Sequence, residues 1–138
     1  MAKPPKWIIA PMAAGAALLA GTKPLLARIT YNTIDPAATL RANGRIAEGA
    51  ALIGCTEGER FQVTLTFRQG DAIGEGQTQG DCIDALTRYD VKVVARGAAD
   101  FEPGPAEACA SAVNTRRGKI IDTRDWCRAA DVELVEDK

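Results

Sequence analysis

Phe61-Gln-Val-Thr-Leu-Thr-Phe-Arg68 is the segment with the clearest pattern in this sequence, because apolar and polar side chains alternate through it without a break. Successive side chains of a β-strand point to opposite faces, so a period of two predicts a strand with one face buried and the other in water. The side chains predicted to face the core are Phe61, Val63, Leu65 and Phe67.

The segments on either side of this strand contain turn residues at short intervals. Asn43-Gly44 is a pair suited to a type I′ hairpin turn. Thr56-Glu57-Gly58-Glu59 predicts a turn before the strand, and Gly70-Asp71 predicts one after it. Further along, Pro103-Gly104-Pro105 predicts a loop and excludes a helix.

Short apolar runs between these turns predict the other strands. Residues 72–82 are rich in glycine, which is typical of a bent or edge strand. Residues 106–113 are rich in alanine and fit either a helical turn or a strand, of which the strand better suits a disulfide at Cys109. The remaining predicted strands are 29–34, 52–55, 89–93, 120–127 and 131–135. About seven short strands with frequent turns predict an all-β sandwich.

The N-terminus has the composition of an export segment. The first seven residues contain two lysines and no acid, and residues 8–21 then carry no charge. Fourteen residues span about 21 Å as a helix, which is less than the roughly 30 Å hydrocarbon core of a bilayer. A basic start followed by a short apolar run therefore predicts a secretory signal.

Two fates of this segment are open from the sequence. Cleavage is predicted after Ala27, which divides the chain into a signal or anchor at 1–27 and one folded domain at 28–138. In the alternative, residues 1–27 stay as a membrane anchor, with Lys23 reaching the interface. Either fate predicts a domain outside the cytoplasm, secreted or held at the cell envelope.

The four cysteines, all in the predicted exported domain, indicate two disulfides. Three pairings are possible. The favoured one joins neighbouring segments, Cys55 with Cys82 and Cys109 with Cys127. A zinc site is disfavoured, because the chain has no histidine and the closest cysteines are separated by 17 residues.

Charge excludes one class of partner. The chain of 138 residues has a net charge of −1, but its first 27 residues contain three lysines and no acid. The predicted domain therefore has a net charge of about −4, and nucleic-acid binding needs dense patches of lysine and arginine. We expect no nucleic-acid partner, and a membrane contact only through an uncleaved N-terminal segment.

Residues for acid–base catalysis are few. The absence of histidine removes every Ser-His and Cys-His arrangement, and Ser111 is the only serine. The carboxylate pairs close in sequence are Asp122 with Asp125, on either side of a predicted turn, and Glu57 with Glu59. Asp81 and Asp84 suggest calcium only weakly, because they lack the spacing of a calcium loop. We therefore expect no enzyme, no metal and no cofactor.

Two other features are candidates for binding. Trp126 lies beside Cys127 and is expected in the core rather than on a ligand platform. Residues 114–119 predict a hairpin loop, in which Arg116, Arg117 and Lys119 form a basic tip. This tip suits an acidic polymer or a phospholipid, and the alternative is a hairpin tip that contacts only water.

Four segments resemble a group of small exported bacterial proteins, mainly actinobacterial, of uncharacterised function. They are Cys55-Thr-Glu-Gly-Glu-Arg-Phe61, the glycine-rich run from Gln69 to Cys82, Phe101-Glu-Pro-Gly-Pro-Ala106, and Asp122-Thr-Arg-Asp-Trp-Cys127. The resemblance implies an immunoglobulin-like Greek-key β-sandwich, although Tyr89 stands where a tryptophan is expected. It implies no activity and no site residue.

The function expected from the sequence is that of an exported interaction or structural module without enzymatic activity. Its expected partner is an unknown protein or glycan at the cell surface. One alternative is a small-ligand carrier with a cleft between its sheets, which would need an apolar pocket of roughly 300 Å³ or more. The other is a hydrolase that uses carboxylates alone.

Overall fold

The computed structural model describes residues 29–137, so the predicted export segment at 1–27 lies outside the described residues. Apart from one 3-10 turn at Ala42–Gly44, all of the regular structure is strand, which confirms the all-β prediction. Across residues 29–137, no helix is long and apolar enough to cross a membrane. The nine strands are β1 (Ile29–Ile34), β2 (Ala37–Arg41), β3 (Ile46–Cys55), β4 (Arg60–Gln69), β5 (Ala72–Asp81), β6 (Thr87–Arg96), β7 (Gly104–Arg116), β8 (Lys119–Cys127) and β9 (Val132–Glu136).

The strands form a closed ring of hydrogen-bonded neighbours in the order β2–β3–β6–β5–β4–β7–β9. The ring closes because β9 pairs with β7 antiparallel and with β2 parallel. β3 pairs with β2 at Ile46–Glu48 and with β1 at Ala51–Cys55. In the same way, β7 pairs with β9 at Gly104–Ala106 and with β8 at Cys109–Arg116. Residues 29–137 thus form nine strands, two more than the roughly seven predicted.

β4 is a strand with one buried face, as its alternating pattern predicts. It pairs along its length with β5 on one side and β7 on the other. Its four core-facing side chains are each at most 2% exposed, so the prediction for Phe61, Val63, Leu65 and Phe67 is confirmed.

The alanine-rich segment 106–113 is a strand, which settles its ambiguity in favour of the disulfide framework. Its alternate alanines lie directly opposite the large core residues of β4, with Ala108 paired to Phe67 and Ala110 to Leu65. Small side chains facing large ones let the layers interdigitate without voids. Burial on one face therefore outweighs the helix propensity of alanine.

The glycine-rich strand β5 lies inside the sheet, which corrects the expectation of an edge strand. It pairs along its length with β4, and it pairs with β6 at Ile73–Glu75. A Cβ atom on Gly76 would stand only 2.0 Å from the carbonyl oxygen of Lys92 in β6. The glycines therefore mark a close approach of two backbones rather than an exposed edge.

The turn between β2 and β3 differs from the expected two-residue hairpin. Arg41 pairs with Ile46, so the connection contains the four residues 42–45. Asn43 and Gly44 both have positive φ, as predicted, but so does Ala42. The Gly44 carbonyl oxygen accepts a hydrogen bond of 2.8 Å from the Phe101 N–H. The local sequence around Gly44 does not predict this tertiary contact.

Candidate functional site

Several strand ends and loops meet at one end of the ring, which we call the proximal end. Pairing register defines it, because Ile29 lies opposite Cys55, while Arg60 lies opposite both Asp81 and Thr115. The turn at residues 56–59, the loop at 82–86 and the β7–β8 hairpin turn are all at this end. The chain leading from residues 1–28 also joins the described structure here.

The β7–β8 hairpin turn is tighter than the sequence predicts. Arg116 pairs with Lys119, which leaves Arg117 and Gly118 as a two-residue turn. Both have positive φ, at 53° and 81°, the combination that a type I′ turn requires. The predicted loop at 114–119 is therefore too long, since residues 114–116 continue β7 and residue 119 begins β8.

The basic tip, defined as Arg116, Arg117 and Lys119, is exposed and lines an open groove of about 500 Å³. None of its three cations forms an ion pair with a carboxylate of residues 29–137. The arginines that do form ion pairs with carboxylates are Arg41, Arg45, Arg60, Arg88, Arg96 and Arg124. The tip thus concentrates positive charge that the fold itself leaves unneutralised.

Large apolar side chains are exposed at the same end, and the sequence analysis missed them. The structure exposes five such residues in the described region, and Ile83, Leu86 and Ile120 are at the proximal end. Ile120 is the most exposed of them, at 65%. A register shift in the β7–β8 ladder, next to Asn114 and Thr115, moves Ile120 out of the expected alternation. No turn residue announces this bulge in the sequence.

Below the tip, a buried polar contact lies beside the first disulfide. Asn114 is fully buried and its Nδ2 donates a hydrogen bond of 2.6 Å to Oε1 of Glu59, which is 2% exposed. The Oδ1 of Asn114 lies 3.1 Å from Sγ of Cys82, a contact with a disulfide sulfur that carries no hydrogen. Glu57, on the same turn, is exposed, so the structure gives the two carboxylates of this turn different environments.

We expect Asn114→Ala to lower the free energy of unfolding by about 2–3 kcal/mol, because it removes the amide donor from the buried Glu59 carboxyl group. Urea denaturation monitored by circular dichroism measures this change. Ser111→Ala is the matched control on the same strand, since Ser111 is exposed and should change stability by at most about 0.5 kcal/mol. Equal effects of the two substitutions would show that the buried contact does not stabilise the fold.

The other carboxylate pair is also separated. Asp122 and Asp125 both lie within β8 rather than on either side of a turn, and an odd spacing puts them on opposite faces. Oδ2 of Asp122 accepts a hydrogen bond of 3.0 Å from the Ile29 N–H and lies 3.5 Å from Nε of Arg124. Asp122 therefore connects β1 to β8, and it does not share a cleft with Asp125.

Metal-ligating groups do not gather in the part of the chain that the structure describes. Among residues 29–137 there is no cluster of three or more histidine, cysteine or acidic side chains that could hold an ion. Asp81 instead forms an ion pair of 2.7 Å with Arg60, its cross-strand neighbour.

Both disulfides form with the favoured pairing, Cys55–Cys82 and Cys109–Cys127. Trp126, next to the second disulfide, is half-buried and packs against the core cluster. Its indole Nε1 is buried and has no hydrogen-bond partner within residues 29–137. Two closed disulfides are typical of proteins that fold outside the cytoplasm.

A scan of protein-family models found no match to this chain, and a search of curated proteins found no relative.

Proposed function

We propose that this chain is an exported interaction module of the cell envelope or extracellular space, without enzymatic activity, and that the basic tip is its contact surface. The observation that carries the proposal is that three exposed cations without ion pairs stand together on one tight turn, whereas Arg68, Lys92 and Arg128, which also form none within residues 29–137, lie on separate segments. Six arginines elsewhere in the domain are paired with carboxylates, whereas Arg116, Arg117 and Lys119 are exposed and unpaired within residues 29–137. An exposed, unneutralised cluster of cations favours a negatively charged partner.

The rigidity of the hairpin supports this role. β7 forms antiparallel backbone hydrogen bonds with β4 on one side and with β8 on the other. The Cys109–Cys127 disulfide joins β7 to β8 between directly opposite residues. Because the tip is held by this framework, its backbone loses little freedom when a partner binds.

The proposed fold is an immunoglobulin-like Greek-key sandwich, as expected for relatives of the small exported bacterial proteins that the sequence resembles. The neighbour order gives partial support. β1–β3–β6–β5 has the strand order of one immunoglobulin sheet and β4–β7–β8 that of the other, but the full-length pairing of β4 with β5 joins the two sets into one ring. Domains of this architecture present loops at the two ends of the sandwich, and the basic tip lies at one of these ends.

The two alternative functions have less support. The largest depression described, about 690 Å³, is open and lined by charged and polar residues such as Arg41 and Asp137, unlike a ligand cleft between sheets. A hydrolase would need two carboxyl groups in one cleft. Glu59 is buried whereas Glu57 is exposed, and Asp122 and Asp125 point to opposite faces of β8.

The proposal is tested by retention on cell-envelope fractions. We expect the full chain with Arg116→Gln and Lys119→Gln to lose at least about 80% of the retained protein, if each cation contributes roughly fivefold to binding. The matched control is Arg68→Gln with Lys92→Gln, which removes the same residue types from exposed positions without ion pairs. Retention of both variants at the wild-type level would overturn the proposal.

A further inference from the structure

We infer that the partner of the basic tip is the surface of an anionic phospholipid bilayer, and that the proximal end of the domain lies against it. This inference rests on the proposed function and names the partner of the same site. Three independent features of the described residues support it: unpaired cations, exposed apolar side chains at the same end, and the position at which the chain joins the domain.

The proximal end combines the two contributions that an interfacial protein needs. Cations attract the domain to anionic headgroups, and apolar side chains bury surface at the boundary with the acyl chains. Ile121 lines the same open groove as the three cations of the tip, and Ile120, whose side chain points to the other face of β8, is exposed at the same end. Ile83 and Leu86, which are 48% and 51% exposed, lie in the β5–β6 loop at this end. A soluble acidic polymer would use the cations but would not account for these apolar side chains.

The opposite end of the ring carries exposed carboxylates without ion pairs within residues 29–137, at Asp71, Glu102 and Glu136, together with the unpaired cation Arg68. Glu102 and Glu136 line the open depression there. At the proximal end Glu57 and Asp84 are also exposed without ion pairs within residues 29–137, and Asp84 lies in the same β5–β6 loop as Ile83 and Leu86. An anionic surface attracts the three clustered cations of the tip and repels the carboxylates of the far end, which favours the orientation with the tip towards the surface.

The path of the chain agrees with this orientation. The uncharged run at residues 8–21 ends seven residues before the described structure begins at Ile29, on the proximal end. Seven extended residues reach at most about 25 Å. A bilayer that held residues 8–21 would therefore be within reach of the basic tip. Such a link would raise the effective concentration of the tip at the surface.

The test uses vesicles and full-length variants with matched loss of charge. The tip variant, Arg116→Gln with Lys119→Gln, and the control variant, Arg68→Gln with Lys92→Gln, are each titrated with two kinds of vesicle. One kind contains equal parts of phosphatidylglycerol and phosphatidylcholine, and the other contains phosphatidylcholine alone. The lysines of residues 1–27 are present in all the proteins, so differences between variants report on the folded domain.

We expect the tip variant to bind the phosphatidylglycerol vesicles about 25-fold more weakly than the wild type, from about fivefold for each cation removed. The control variant should stay within about threefold of the wild type. Ile120→Ser should weaken binding by about fivefold, because it removes exposed apolar surface at the end of the domain that carries the cations.

A local measurement separates docking of the tip from insertion of the N-terminal segment. Trypsin cleaves after Arg117, and the two products stay joined by the Cys109–Cys127 disulfide until they are reduced. Phosphatidylglycerol vesicles should slow this cleavage at least about tenfold for the wild type and the control variant. Cleavage of the tip variant, which keeps Arg117, should change by less than about twofold.

Equal vesicle binding by the wild type and the tip variant, or cleavage that vesicles leave unchanged, would overturn the lipid inference. Displacement by soluble polyphosphate together with no effect of Ile120→Ser would also overturn it, in favour of a soluble anionic polymer. In these cases the proposed function stands if the tip variant still fails to be retained by envelope fractions. If the tip variant is retained there as well, the proposed function falls with the inference.

Discussion

Replacing Cys55 and Cys82 together by alanine is expected to lower the free energy of unfolding by about 4–5 kcal/mol. The loop that this disulfide closes spans 27 residues, and loss of its constraint on the unfolded chain accounts for about 3 kcal/mol. Both cysteines are also buried, at 1% and 4% exposure, so the substitution leaves unfilled volume in the core. Urea denaturation of the oxidised proteins measures the difference.

The second disulfide provides the matched control. Cys109→Ala with Cys127→Ala opens a loop of 18 residues, which predicts a similar entropic loss of about 3 kcal/mol. Cys127 is exposed, so this change should add little loss of packing. A smaller effect for Cys55 and Cys82 than for Cys109 and Cys127 would contradict the role assigned to burial. Either loss is a large part of a typical domain stability of about 5–15 kcal/mol.

Local patterns predicted a strand most clearly where one face is buried and the other exposed. The alternation at Phe61–Phe67 is visible without any tertiary information, and the structure buries all four of its apolar side chains. The cysteine pairing was also predictable, since each favoured pair joins neighbouring segments that the fold places side by side.

Long-range pairings left no such local signal. The ring closes through β9 and β2, whose paired residues Glu133 and Ala37 are almost a hundred positions apart. The glycines of β5 predicted an edge strand because sequence alone does not show that Val94 and Lys92 approach them so closely. The buried position of Asn114 was missed for a related reason, as its partner Glu59 comes from another strand connection.

The candidate site was predictable in part. Arg116, Arg117 and Lys119 stand out in the sequence as a basic hairpin tip, and the structure places them on one tight turn. Their lack of carboxylate partners became visible only when cross-strand neighbours were known. The exposure of Ile120 depends on a bulge in the ladder, which residue pattern does not reveal.

Phe67→Ala is expected to lower the free energy of unfolding by about 3–5 kcal/mol, because it removes a fully buried aromatic ring. The ring packs edge-on against Phe101, with ring centres 6.4 Å apart. It also lies over Gly49 in β3, where a Cβ atom would stand only 2.7 Å from Cζ of Phe67. Thermal and urea denaturation measure the loss.

A second substitution, at Gly49, tests whether the effect of Phe67→Ala comes from the contact between this ring and β3. In the wild type, Gly49→Ala should destabilise by about 1–3 kcal/mol, because the added methyl group overlaps Phe67. Once Phe67 is alanine, the same methyl group enters vacated space, and the effect of Gly49→Ala should fall to near zero or become stabilising. A double-mutant cycle should therefore give a coupling of at least about 1 kcal/mol. Additive effects would mean that Gly49 of β3 and Phe67 of β4 do not contact each other across the core, which would contradict the packing that the structure shows between these strands.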